Sequence, residues 1–156
     1  MICFYDREAA VDYAKEWALR KNPKFGVCNC KGSESASFVS ECLYSGSGVM
    51  GFGEWFYKNR RCFGKAWVND KALFDFLTTN SGKGPRGIQT DRKNVEVGDI
   101  VQFFSNNTNS LSSAVITGIK DGKILTCSHG INSYMRPLNS YCNTMARFIH
   151  ICEVKI

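Results

Sequence analysis

The segment Ser33-Glu34-Ser35-Ala36-Ser37 sets three hydroxyls and a carboxylate at the point where an apolar pattern of helical period begins, with Phe38, Val39, Cys42 and Leu43 as its stripe. A side chain in the first turn of a helix meets unpaired backbone N–H groups and the positive end of the helix dipole. Both favour a nucleophile and the anion it generates. On residue type alone the same position is better read as a capping hydroxyl, since serine at a helix start is what capping predicts. A nucleophilic serine needs an imidazole within hydrogen-bond reach and a third group to orient that ring. His129 is the candidate base. Asp99 and Asp121 are the carboxylates that bear on it, but Asp99 reads as a turn residue preceding a strand, and Asp121-Gly122 as a hairpin turn.

Eight cysteines offer a second chemistry. Cys28-x-Cys30 and Cys127-x-His129 contain four potential zinc ligands, yet structural zinc pairs are usually spaced by about two to four residues, which neither pair matches. No metal and no cofactor is expected. Cys30, in a loop, and Cys42, in the helical stripe, flank Ser35; at the Cys42 position a free cysteine acts as a small buried hydrophobe. The stretch Gly82 to Gly87 contains a Gly-Lys-Gly-Pro run, lacks the lysine-serine signature and the preceding strand of a phosphate loop, and reads as an ordinary loop.

Three helices are predicted to position these groups. Asp6 to Arg20 carries an apolar stripe of Ala10, Tyr13, Ala14, Trp17 and Ala18, with Asp6 as N-cap and Asn22-Pro23 as stop. Ser33 to Tyr44 follows, and Asn69 to Thr79 repeats the pattern with Ala72, Leu73, Phe76 and Leu77, capped by Asn69 or Asp70. From Val95 on, β-branched and aromatic runs at Ile100 to Phe104, Ala114 to Ile119, Lys123 to Cys127 and Arg147 to Lys155 predict strands. Helices first and strands afterwards indicate an α+β fold, its antiparallel sheet packed on the helical half.

The chain of 156 residues, 44% hydrophobic and 13% aromatic, has the size and the core-forming residues of one domain spanning 1–156. No apolar run is long enough to span a membrane. Met1 to Tyr5 passes directly into Asp6-Arg7-Glu8 instead of an apolar leader core, so the expected location is cytoplasmic, with reduced thiols. The net charge of +6 is dispersed. Its densest cluster, Lys58, Arg60, Arg61 and Lys65 between Trp55 and Trp67, reads as a solvated loop flanked by core tryptophans, and a nucleic-acid partner is not expected.

The order of Tyr5 to Leu19, Asn22-Pro23-Lys24-Phe25, Ser35-Ala36-Ser37-Phe38-Val39-Ser40-Glu41-Cys42-Leu43, the Trp55 to Trp67 region, Gly98-Asp99-Ile100-Val101-Gln102-Phe103, Ser113 to Gly118 and Arg136-Pro137-Leu138 resembles the putative amidase domain family. That family belongs to the papain-like cysteine hydrolases, which include the NlpC-type cell-wall peptidases. The resemblance implies a papain-like α+β fold, with the nucleophile at the start of a central helix and its base on a facing strand. It also implies that Ser35 stands at the family's cysteine position, that Ser112 stands at its histidine position, and that His129 falls on or near the third polar position.

Ser112 cannot act as a base, and a hydroxyl ionises far less readily than a thiol. The expected function is therefore that of a catalytically degenerate amidase-like protein whose cleft binds a small molecule or peptide, such as an anionic small molecule or a peptidoglycan-type fragment. Glu34, Ser37, Trp55, Trp67, Tyr134 and Arg136 are the candidate ligand-binding residues, although core packing is the favoured reading of the tryptophans. Two alternatives stand beside this: a residual serine hydrolase built on Ser35 and His129, and an interaction protein of phage or mobile-element type.

Overall fold

The computed structural model describes residues 1–26, 32–51, 53–142 and 144–156. The Cys28 and Cys30 pair lies outside them. A short strand β1 (Ile2–Cys3) leads into α1 (Arg7–Trp17), where the Asp6 carboxylate accepts the Ala9 N–H at 2.9 Å as N-cap. Ala10 and Ala14 are fully buried, so the α1 backbone approaches its neighbour closely. That neighbour is α2 (Glu34–Ser47). Ser33 caps its start by accepting from the Ala36 N–H, and Gly48, in the left-handed region at φ 68°, returns its N–H to the Tyr44 carbonyl at the other end.

A two-stranded hairpin, β2 (Tyr57–Asn59) and β3 (Cys62–Phe63), forms where the sequence predicts a loop. Lys58, Arg60, Arg61 and Lys65 are exposed, while Trp55 and Trp67 are fully buried with ring centroids 5.2 Å apart, as solvated cations between core tryptophans require. The Trp55 indole N–H donates to Ser40 at 3.0 Å, which satisfies its polar atom in the core. A one-turn helix α3 (Lys65–Val68) then abuts α4 (Asp70–Thr79), whose N-cap is Asn69.

The remaining strands are β4 (Gly84–Thr90), β5 (Ile100–Ser105), β6 (Leu111–Lys120), β7 (Lys123–Ser128), β8 (Ser133–Pro137) and β9 (Thr144–Lys155). With β1 they make a seven-stranded sheet of order β1-β9-β5-β6-β7-β8, with β4 also on β9, and every pairing is antiparallel. Residues 84–90 correct the expected loop at 82–87. Pro85 and Gly84 are tolerated because β4 pairs on one side only, and the Arg86 to Gly87 bulge absorbs a shift in register. The chain is thus α+β, as expected. The Asp121-Gly122 turn joins β6 and β7 with Asp121 at φ 51°.

The sheet buries both faces. Ile100, Val115, Cys127, Ile149 and Ile151 pack against the helices, while Val101, Phe103, Ala114, Ile116, Ile124 and Phe148 form a smaller core on the opposite face with Leu138. Asp99 is more than a turn residue. It is fully buried, accepts from Arg7 at 2.7 Å and from the Ile151 N–H, and meets the His150 ring at 2.9 Å, tying the start of α1 to β9. No described helix is long and apolar enough to cross a membrane.

Candidate functional site

The first turn of α2 is held against β6 by a buried polar network centred on Ser35, which is 5% exposed. Its hydroxyl donates to Asp70 Oδ1 at 3.0 Å, and its oxygen accepts the Ser113 backbone N–H at 3.1 Å. The Ser33 hydroxyl lies 2.8 Å away. Since the single Ser35 proton goes to the carboxylate, Ser33 must be the donor of that third bond. Asp70 Oδ1 also accepts from the Ser113 hydroxyl at 2.6 Å, and the Asp70 backbone carbonyl accepts from the Gln102 amide at 2.8 Å. The same amide donates to Ser113 Oγ at 2.9 Å, and Gln102 Oε1 accepts from Arg147 Nε at 2.9 Å. The chain Arg147–Gln102–Ser113–Asp70–Ser35–Ser33 thus runs from the sheet surface to the helix cap.

Strand alternation explains which serine of β6 takes part. Ser113 shares the face of Val115 and points to the helices, whereas Ser112 is exposed, lies across from Phe103, and shares the opposite face with Ala114 and Ile116. The residue facing Ser35 is therefore Ser113, one position beyond the expected one, and Asp70 supplies the acid that Asp99 and Asp121 do not. Asp70 was legible only as a cap. Gln102 carried a signal: it is a polar residue at an inward position of the strand that begins with Ile100.

His129, in the turn after β7, is engaged elsewhere. Its Nε2 lies 2.6 Å from the Trp17 carbonyl, which can only accept, so the ring donates to the end of α1. The ring stacks on Phe38 at 4.1 Å. Burial lowers its pKa from the ordinary 6.5, against the opposing pull of the Trp17 carbonyl. Among the described residues, none of the hydrogen bonds at the Ser35 hydroxyl involves this imidazole.

A cleft of about 480 Å³ opens beside the network. Ser35, Ser112, His129, Glu34 and Arg136 all line it, so five of the expected residues do converge on one concavity. The Arg136 guanidinium is stacked 3.9 Å over the Tyr141 ring and donates to Ser140. Ser37 and Trp67 line a neighbouring cavity instead. Trp55 is core, and Tyr134, 51% exposed, lines neither cavity. Burial pushes the Cys42 thiol well above its ordinary 9, with Glu41 adding to the effect, which suits an inert packing residue. Among the described residues no cluster of side chains could hold a metal ion.

A family model for a putative amidase domain matches residues 4–152, and the chain belongs to that family. No curated protein and no solved structure matches it.

Proposed function

We propose that this member of the putative amidase domain family is a catalytically silent domain of papain-like architecture whose cleft, at the start of α2, binds a small-molecule or peptide ligand. The observation that carries the reading is the state of the Ser35 hydroxyl. Its proton is committed to Asp70, and both of its lone pairs accept hydrogen bonds, from Ser33 and from the Ser113 N–H. An attacking oxygen must present a lone pair to the carbonyl carbon while a base takes its proton. Ser35 has no lone pair to present without breaking a buried bond, and a carboxylate is a weaker base than an imidazole.

The cleft itself asks for no nucleophile. Its volume and its lining of Glu34, Ser112, His129 and Arg136 offer polar groups of both signs to a ligand. The placement of a helix start against an antiparallel sheet is the arrangement that the papain-like family implies, with serine at the thiol position and a second serine facing it.

Incubating the wild-type chain and Ser35→Ala with a panel of amides and peptides, monitored by mass spectrometry for cleavage and by protein NMR for binding, tests the reading. The expected result is no cleavage by either form and binding that survives Ser35→Ala. In Ser35→Cys, the adjacent Asp70 and burial keep the new thiol protonated, so iodoacetamide alkylates it no faster at pH 7 than the exposed Cys62. Cleavage by the wild type that Ser35→Ala abolishes would overturn the proposal.

A further inference from the structure

A second cavity of about 200 Å³ adjoins the cleft, and the two share Ser33, Glu34 and His129 as a common wall. It is lined by the buried carboxyl of Glu41 and by the rings of Phe25, Tyr57 and Trp67, whose centroids lie 5.4 to 5.8 Å apart. A carboxyl on the wall of an aromatic cavity has no role in the Ser35 network and none in helix capping.

We propose that this cavity binds a small primary ammonium group, with Glu41 as its counter-ion and the Phe25, Tyr57 and Trp67 rings as its walls.

Hydrogen bonding leaves Glu41 room for such a ligand. The Tyr13 hydroxyl donates to Oε2 at 3.0 Å, and Asn22 holds that hydroxyl by donating to it at 3.1 Å; this is the carboxyl's one side-chain hydrogen bond among the described residues. A primary ammonium brings three N–H donors, which a carboxylate accepts. Aromatic faces attract a desolvated cation electrostatically while excluding water from its stem. At roughly 30 Å³ per water, the cavity has space for about six waters, and so for a short alkylammonium.

Charge balance points the same way. Lys21 and Glu34 also line the cavity and neutralise one another at 2.9 Å. Tyr13 faces Glu41 from α1 with its phenol held protonated, its pKa raised by burial and by Glu41, while His129 faces the cavity from the β7–β8 turn with its pKa lowered by burial. The lining groups therefore sum to zero while Glu41 keeps its proton, with the Lys24 ammonium outside the lining at 5.8 Å over the Phe25 ring, and burial pushes Glu41 up to about 8. Ionising Glu41 leaves one uncompensated negative charge, and an entering cation restores neutrality. Binding then expels the Glu41 proton to solvent, and affinity rises with pH until the carboxyl is ionised without help.

The test titrates the full chain with n-propylammonium chloride, using n-propanol as the neutral control of matched shape. NMR of the Trp67 indole reads occupancy, and calorimetry in buffers of different ionisation enthalpy reads proton release. Propylammonium is expected to bind about tenfold more tightly at pH 7 than at pH 6, to level off above about pH 8, and to release close to one proton per ligand at pH 6. Propanol is expected to bind at least about tenfold more weakly at pH 8. Glu41→Gln keeps an acceptor for Tyr13 and is expected to lose both the pH dependence and about tenfold in affinity. Equal binding of propanol, a flat pH profile in the wild type, unchanged binding by Glu41→Gln, or no saturable shift up to about 0.1 M ligand would each overturn the proposal. The wild-type profile and the propanol comparison decide it even where Glu41→Gln fails to fold. None of these outcomes bears on the Ser35 cleft, whose ligand binding is read separately.

Discussion

Replacing Glu41 by Gln should stabilise the free protein at neutral pH, and the gain should shrink as pH falls towards 4.5. Burial is the larger cause and raises this carboxyl from an ordinary 4.5 to about 8, with Tyr13 and Lys21 pulling the other way. An acid whose folded pKa is raised holds its proton in the native state after the unfolded chain has lost it. Stability is therefore fully present below pH 4.5 and falls as pH rises towards 8. Taking 4.5 and 8 as the two values, the loss amounts to about 1 kcal/mol at pH 5, about 3 kcal/mol at pH 7 and nearly 5 kcal/mol at pH 9. Gln is close in shape, can accept from Tyr13 and does not titrate. Urea unfolding of both forms from pH 5 to pH 9 should show curves about 1 kcal/mol apart at pH 5 and about 3 kcal/mol apart at pH 7, with the wild type the weaker. Parallel curves would mean that Glu41 is ionised and paired in the native state, and would remove the neutral, proton-filled cavity from which the ammonium site was argued.

Asp70→Ala strips the acceptor from two buried hydroxyls and should cost about 2 to 4 kcal/mol in chemical denaturation, with Asp70→Asn recovering part of it because an amide oxygen can still accept. Ser113→Ala should cost about 1 to 3 kcal/mol and Ser112→Ala less than about 0.5 kcal/mol, since only the first faces the network. The reverse order would place β6 one residue out of register and dissolve the site as described. His129→Ala should lose about 1 to 3 kcal/mol in the same assay by freeing the Trp17 carbonyl and the face of Phe38, and should leave cleft ligand binding weakened by no more than about tenfold.

The elements legible in the sequence were those whose local signals agreed with their environment. The stripe in α1, the Ser33 and Asn69 caps and the Asp121-Gly122 turn are decided within a few residues, and the structure has them. β4 was illegible for the opposite reason: Gly84-Pro85 and Gly87 are turn residues by propensity, and only the long partner β9 makes a strand of them. The position of Ser113 in the site was lost by one residue. A one-residue step along a strand exchanges the two faces, and a family pattern fixes order more firmly than it fixes which of two adjacent serines points inward. Asp70 is 35 positions from Ser35 and carries no local mark beyond its place at a helix start.

What holds Ser35 also bears on how the proposed silent site keeps its shape. A nucleophile and base that act on a substrate must be left partly unsatisfied, which is costly in a buried place. Here the cost is absent. Ser33, Ser35 and Ser113 satisfy one another and Asp70, and Gln102 carries the chain out to Arg147. The network joins α2, α4, β5, β6 and β9 at one point, so it stabilises the walls of the cleft whether or not a bond is broken there. A thiol at position 35 would remove a good hydrogen-bond donor from Asp70 and bring no imidazole in exchange. Single substitutions at Ser35 are therefore expected to lower stability before they raise activity.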